Sequence, residues 1–353
     1  MKPSKELTDP EDFDLLAGLP RVKNLPLHKI PSGRNGKPHR KPKRSPPEIL
    51  AELAGAEDDR QVFEFTYQAS RHERGWLVNS LGSFYQQHWL DDVLRLVKGG
   101  KEASVYQCIA NPAMSGRQRL LLAAKVYRPR QFRQLRNDHL YREGRQNLDS
   151  EGHTIVDGGM LHAMHKRTEY GKQLLHTSWI EHEYQTLQIL HAAGADVPAP
   201  YASGGNAILM AYIGGEDLPA PPLSDLSLTP QEARPLFERL LYNIEIMLAN
   251  GRVHADLSAY NILYWEGQIT LIDFPQAISP RENRNAYAIF ERDLRRVCEY
   301  FERQGVPSRP RELAARMWTA FKYALRPEVD PALLDGEDAQ DRAYWQKTID
   351  RGQ

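Results

Sequence analysis

The chain has 353 residues, 41% of them hydrophobic and 26% charged, with 46 basic and 46 acidic side chains. That length sets one to three domains with ordinary globular cores, and the balanced charge excludes a molecule-wide attraction to nucleic acid or membrane. The two cysteines, Cys108 and Cys298, exclude a disulfide framework, and each reads as a small buried apolar residue. Without an apolar signal region or a run near the roughly 20 residues of a membrane span, the expectation is a soluble, cytoplasmic protein with no membrane contact.

Residues 1–60 read as a weakly structured basic arm. No Asp or Glu occurs between Arg21 and Arg44, a stretch dense in Lys, Arg, Pro and Gly. It is either an element that contacts RNA or the ribosome or a solvated tail. Apolar and aromatic residues return at Phe63, Phe65 and Tyr67 and again from Trp76 to Leu90, which marks the folded boundary. Residues 93–97, 104–109 and 120–127 predict three strands. The polar stretch 128–176 reads as a functional loop or a disordered insertion. Ser178 predicts the N-cap of a helix that carries Ile180, Tyr184, Leu187 and Leu190 and closes at Gly194. Residues 208–213 predict a buried strand. Thr229, Pro230 and Glu232 supply a cap, a first-turn proline and a capping box for a helix with Phe237, Leu240, Leu241, Ile244, Met247 and Leu248 on one stripe, ended by Gly251. Short strands at 262–264 and 269–272 and amphipathic helices near 286–304 and 311–324 complete the chain. Strands with one helix, then mainly helices, predict an α+β fold of two lobes with a cleft between them. The expected boundaries are 61–213 and 214–330, with a tail at 331–353.

The chemistry concentrates in His254-Ala255-Asp256-Leu257-Ser258-Ala259-Tyr260-Asn261, followed by Leu271-Ile272-Asp273. Phosphoryl transfer needs in-line positioning, a group to orient or deprotonate the nucleophile, and divalent cations on the phosphates. An Asp followed five residues later by an Asn suits a tight catalytic loop, with the carboxylate toward the acceptor and the amide oxygen toward a metal. Asp273, at the end of an apolar strand, offers hard oxygen ligands to Mg2+ from the other side. Residues 95–106 place a turn between two strands. Gly99-Gly100 and the small Ala103 let backbone amides approach phosphates, although Lys98 and Ala103 stand where a kinase glycine loop has glycines. Lys125 interrupts the apolar strand 120–127 and should face the cleft, because a buried lysine needs a partner. Glu181 and Glu183 are candidate partners, and Glu183 is preferred because Leu187, four residues on, marks the packed face. His162 and His165 at i, i+3 lack a neighbouring Cys or carboxylate cluster and are not assigned to a metal.

This ordered set resembles the RIO family of atypical serine/threonine protein kinases. The segments that carry the resemblance are Lys98-Gly99-Gly100-Lys101-Glu102-Ala103-Ser104-Val105-Tyr106, Ala124-Lys125-Val126-Tyr127, Met210-Ala211-Tyr212-Ile213-Gly214-Gly215 with Leu218-Pro219-Ala220-Pro221, Val253-His254-Ala255-Asp256-Leu257-Ser258, and Ile272-Asp273-Phe274-Pro275-Gln276. They span about residues 75–305. The resemblance implies a bilobal protein-kinase-like fold with a reduced C-lobe that lacks an activation segment. It implies ATP held by Lys98, Gly99, Gly100, Ala103, Ser104, Val105, Lys125 and Glu183, with adenine at the hinge of Met210, Ala211 and Ile213. Mg2+ (Mn2+ as an alternative) would sit on Asn261 and Asp273, and Asp256 would be the catalytic base. In that family the position of Asp273 is also linked to an aspartyl-phosphate. Three activities stay open: a Ser/Thr protein kinase that also phosphorylates itself, an ATPase switch in ribonucleoprotein assembly, and a small-molecule phosphotransferase, which the hinge and Asp-Phe-Pro-Gln segments disfavour. A non-enzymatic scaffold is the weakest reading, because every catalytic position is occupied.

Overall fold

The computed structural model describes residues 63–100, 102–115, 120–128 and 143–323. The basic arm, the tail at 331–353 and part of the long polar stretch lie outside the described residues. Six helices position the site: α1 (Arg71–Gln86), α2 (Gly158–Lys166), α3 (Glu169–Ala192), α4 (Pro230–Ala249), α5 (Ala286–Arg303) and α6 (Pro310–Ala320). Strands β1 (Leu90–Gly99), β2 (Ala103–Ala110), β3 (Leu121–Tyr127), β4 (Pro200–Gly204) and β5 (Ala207–Ala211) form one antiparallel sheet in the order β1-β2-β3-β5-β4. Strands β6 (Ile262–Trp265) and β7 (Gln268–Leu271) make a separate antiparallel pair.

Alternation along β3 decides what reaches the cleft. Leu122, Ala124 and Val126 join Leu77, Leu81 and Phe84 of α1 in a core on one face of the sheet. Ala123 and Tyr127 join Ile180, Leu187 and Leu190 of α3 in a core on the other face, and the period of two puts Lys125 on that same face. Because both faces are covered, β3 reads as a continuous apolar run rather than an alternating one. The second core continues without a break into α4 and α5 through Leu240, Ile244, Leu294, Val297 and Phe301. Each such fully buried side chain contributes about 1.5–3 kcal/mol. The result is the expected bilobal α+β arrangement. Asp273 is joined to α5 by residues 274–285 alone, so no long segment intervenes. Both cysteines are free and buried. No helix among the described residues is long and apolar enough to cross a membrane.

Several expected elements shift. Ser178 is no cap: it lies buried inside α3, and its Oγ accepts the Leu148 N–H at 2.8 Å. The cap is Thr168, whose Oγ1 accepts the Gly171 N–H at 3.0 Å. The last part of the polar stretch is therefore helical, with α2 and the first turns of α3 showing polar side chains to water. Helix α1 and strand β4 carried no clear period in the sequence. The strand expected at 208–213 ends at Ala211, and Tyr212 and Ile213 leave the sheet. Helix α6 stops at Ala320, ahead of the left-handed Lys322 (φ +58°). By contrast, α4 starts as read, with the full Thr229–Glu232 capping box.

Gly214, three residues past β5, sits at φ +137°, and a Cβ there would lie 2.6 Å from the Leu218 carbonyl oxygen. Gly214→Ala is expected to cost about 1–3 kcal/mol, and Thr229→Ala about 1 kcal/mol. Thermal unfolding of the two variants beside the wild type measures both, with the larger drop in Tm for Gly214→Ala.

Candidate active site

Strand β3 delivers Lys125 into the space between the sheet, α3 and the turn after β7. Its Nζ lies 2.6 Å from Glu183 Oε1 and 2.6 Å from Asp273 Oδ1. Glu183 is 1% exposed and fully engaged: Tyr127 OH donates to its Oε2, and the Phe274 N–H reaches Oε1 at 3.3 Å. Burial alone would push the Lys125 ammonium down, but Asp273 and Glu183 outweigh it and hold the group above its ordinary value. For Asp273, burial pushes up, and the charge and hydrogen bond of Lys125, with Lys98 and His254 behind them, bring the carboxyl below the usual range. Glu181, the alternative partner, turns away and accepts from Ser203 Oγ at 3.1 Å.

The residues of the 254–261 loop come together on the opposite wall. Asn261 Nδ2 donates to the Asp256 carbonyl at 2.8 Å and to Asp256 Oδ2 at 3.2 Å. Both amide hydrogens are thereby spent, and Oδ1 is left as the oxygen available to a cation. The Ile272 N–H donates to the Asn261 carbonyl at 3.0 Å, which ties this loop to the residue before Asp273. His254 is the brace between them. Its Nδ1 accepts the Asp256 N–H at 3.3 Å, so Nε2 carries the proton and donates to the Ile272 carbonyl at 3.1 Å. Its ring packs 4.6 Å from that of the buried Phe274. Ala255 (φ +67°) and Asp273 (φ +72°) both hold left-handed backbone, which non-glycine residues enter only when their surroundings require it.

The residues expected to hold the nucleotide line up along the sheet. Lys98 pairs with Val105 and Gly99 with Ser104, closing the β1–β2 turn, and a Cβ on Gly100 would lie 2.6 Å from the Ala103 carbonyl oxygen. Met210 stands opposite Ala123 on β5, and Ala211 opposite Leu122. Beyond them, the Ile213 carbonyl accepts the Ala220 N–H at 3.1 Å, while the Ile213 N–H has no backbone partner among the described residues. Arg95 clamps the turn that follows, donating to the carbonyls of Asp217 at 2.5 Å and Glu216 at 2.7 Å, and Gln107 adds a bond to Glu216 at 3.1 Å. Among the described residues no three His, Cys, Asp or Glu side chains gather as a metal cluster.

Four residues near the site were missed in the sequence. Arg292, 2% exposed, donates to the Ala255 carbonyl at 2.5 Å and pairs with Asp293. Arg296 reaches Asp256 Oδ1 at 3.2 Å. Arg145 donates to the carbonyls of Pro275 and Ala277 at 2.9 Å each, and His182 Nε2 donates to Ala277 at 2.8 Å. Burial, then the nearby Arg145, pushes the His182 imidazole down to about 3, so it is neutral at physiological pH. The FERDLRR run of α5 carried one usable signal, since Arg292 and Arg296 at i, i+4 share a helix face.

The RIO domain profile matches residues 139–313, a stretch that begins after Lys125 and the glycine turn. The RIO-type serine/threonine-protein kinase Rio1 of Thermoplasma acidophilum is 32% identical over 132 residues, which cover 37% of this chain and 68% of that protein. The serine/threonine-protein kinase RIO1 of Chaetomium thermophilum is 29% identical over 245 residues, 67% of this chain and 43% of that one. The chain thus spans under half the length of the latter relative. Among solved structures, the Rio2 kinase–ADP/Mg2+–phosphoaspartate complex from Chaetomium thermophilum aligns over 86% of this chain and 84% of that one, with 18% identity and a TM-score of 0.49.

His182 sets a pH test. An unfolded histidine takes up its proton near 6.5 and the folded one near 3, so protons favour the unfolded chain as pH falls through that window. His182→Gln keeps an N–H for Ala277 and removes the titration. Relative to wild type, its unfolding free energy should rise steadily between pH 7 and about 4 in urea titrations.

Proposed function

Since the chain belongs to the RIO family, we propose that it is an ATP- and Mg2+-dependent phosphotransferase that moves the γ-phosphoryl group to a serine or threonine hydroxyl of a protein, its own chain included. The observation that carries this reading is Lys125 in simultaneous contact with Glu183 and Asp273, beside an Asp256 whose own loop holds Asn261. The names of the relatives as serine/threonine-protein kinases support a hydroxyl acceptor.

The sheet-bearing part, residues 61–213, would hold the nucleotide. Adenine would lie between Val105 and Met210 and bond to the Ala211 carbonyl and the Ile213 N–H. Backbone amides from Lys98 through Gly99, Gly100, Ala103 and Ser104 would cover the phosphates, and Lys125, its rotamer fixed by Glu183, would hold the α- and β-phosphates. Asn261 Oδ1 and an Asp273 carboxylate oxygen fit Mg2+: they are hard oxygens, and two protein ligands suffice where substrate phosphates and water complete the shell. When bound, the ion neutralises charge on the β- and γ-phosphates; Mn2+ would take the same oxygens. Asp256 accepts the hydrogen bond of the acceptor hydroxyl and takes its proton as the new O–P bond forms and the bond to ADP breaks. Residues 214–330 would carry this chemistry, and the basic arm would contact RNA or a ribosomal particle.

A second reading rests on the Asp273 side chain, which keeps 43% of its surface exposed at the cleft. Its free oxygen could attack the γ-phosphorus and release ADP, after which water hydrolyses the aspartyl-phosphate. The chain would then be an ATPase switch acting in ribonucleoprotein assembly.

Incubation with Mg2+ and γ-labelled ATP separates the two. Acid-stable label on serine or threonine supports hydroxyl transfer, whereas hydroxylamine-sensitive label with free phosphate supports the aspartyl-phosphate. Under hydroxyl transfer, Asp256→Ala should lower turnover by about 10²–10⁴-fold with ATP affinity nearly unchanged; full turnover in that variant overturns the assignment.

A further inference from the structure

The loop from His254 to Asn261 contains neither Lys nor Arg. Two residues past Asp256 stands Ser258, whose buried hydroxyl has no hydrogen-bond partner among the described residues. Lys125 is committed to Glu183 and Asp273, on the nucleotide side of the cleft. The acceptor side would therefore present a bare carboxylate to an incoming, highly anionic phosphoryl group. The structure supplies a cation there from outside the loop. Helix α5 packs its 292/296 face against the catalytic loop: Arg292 is buried and holds the Ala255 carbonyl, and one turn later Arg296 reaches Asp256 Oδ1 at 3.2 Å. Its side chain is 14% exposed, against 32% for Asp256, so neither member of the pair is fully buried. Arg295 lies off that face and pairs with Glu299 at 4.0 Å.

We propose that Arg296 is a further catalytic residue, whose guanidinium contacts the γ-phosphoryl oxygens during transfer and supplies in cis the positive charge that the catalytic loop lacks. A guanidinium carries five N–H donors in one plane, and it can hold a carboxylate oxygen and a phosphoryl oxygen together. In phosphoryl transfer the charge gathers on the equatorial oxygens, where a fixed arginine stabilises the transition state more than the ground state. The inference rests on the phosphotransfer reading of the site.

The test compares Arg296→Ala, Arg296→Lys and, as a control on the outer side of α5, Arg295→Ala in the full chain. Arg296→Ala should lower kcat by about 10²–10³-fold with KM for ATP within about threefold, Arg296→Lys should keep part of the rate, and Arg295→Ala should match wild type. Added guanidinium should restore part of the Arg296→Ala rate. That variant should also bind ADP with aluminium fluoride, a planar phosphoryl mimic, more weakly than wild type while binding ADP alone equally well. An active wild type whose Arg296→Ala variant keeps its kcat overturns this inference alone. So does a variant whose rate loss comes with equal weakening of ADP and its aluminium fluoride complex and with no guanidinium rescue. A wild type that binds ATP without turning it over overturns the functional reading, and this inference with it.

Discussion

The Lys125 side chain is 11% exposed, and its ammonium meets carboxylate oxygens at 2.6 Å on two sides, one from α3 and one from the turn after β7. Neither partner is local: Glu183 lies 58 residues away and Asp273 148. Taking such charges out of water costs several kcal/mol per ion, and their mutual attraction offsets this only when the geometry is complete. Sheet, α3 and the Asp273 turn are therefore interdependent. Glu183 cannot be buried without Lys125, and Lys125 cannot face inward without Glu183. The remaining acceptor capacity of Glu183 is taken by Tyr127 OH and the Phe274 N–H. A single carboxylate thus registers the correct placement of a strand, a helix and the segment after Asp273.

The same economy explains the strained backbone. Ala255 and Asp273 sit at positive φ, each at an expense of order 1–3 kcal/mol. Their neighbours leave no alternative. Arg292 fixes the Ala255 carbonyl, and the His254 ring spans from the Asp256 N–H to the Ile272 carbonyl. Phe274 fills the core behind Asp273 and packs tilted against that ring. The strain turns two carboxylates, seventeen residues apart, toward one cleft.

How far the sequence reveals this depends on the range of each interaction. Lys125, Asp256, Asn261 and Asp273 are visible because each breaks a local rule: a lysine inside an apolar strand, or acidic and amide groups at fixed spacing near strand ends. The α4 cap is visible because Thr229 and Glu232 satisfy each other within one turn. Ser178 misled for the opposite reason. A serine ahead of an apolar stripe has the look of a cap, but its hydroxyl serves the Leu148 N–H, 30 residues back, a contact that no local pattern encodes. Arg145, His182, Arg292 and Arg296 were hidden in the same way. Arg and His are ordinary surface residues in composition, and only the folded chain turns them onto carbonyls and carboxylates of the site.

Those hidden residues also bear on how the site is kept in order. The segment 274–285 is too short to carry its own packed core. Its Pro275 and Ala277 carbonyls are held instead by Arg145 and His182, and Asn283 and Arg284 bond back to Glu143. An arginine keeps its charge at any physiological pH, and His182, held near 3, keeps its neutral, donating form. The Pro275 and Ala277 carbonyls are thus held by donors whose charge state does not change in the working range. With Lys125, Glu183 and Phe274 locked into one network, the residues around Asp273 hold their geometry through contacts made within the folded chain. On the Asp256 side of the cleft the ionic contact is looser, since Arg296 reaches Asp256 at 3.2 Å with side chains 14% and 32% exposed, against the two 2.6 Å contacts of Lys125.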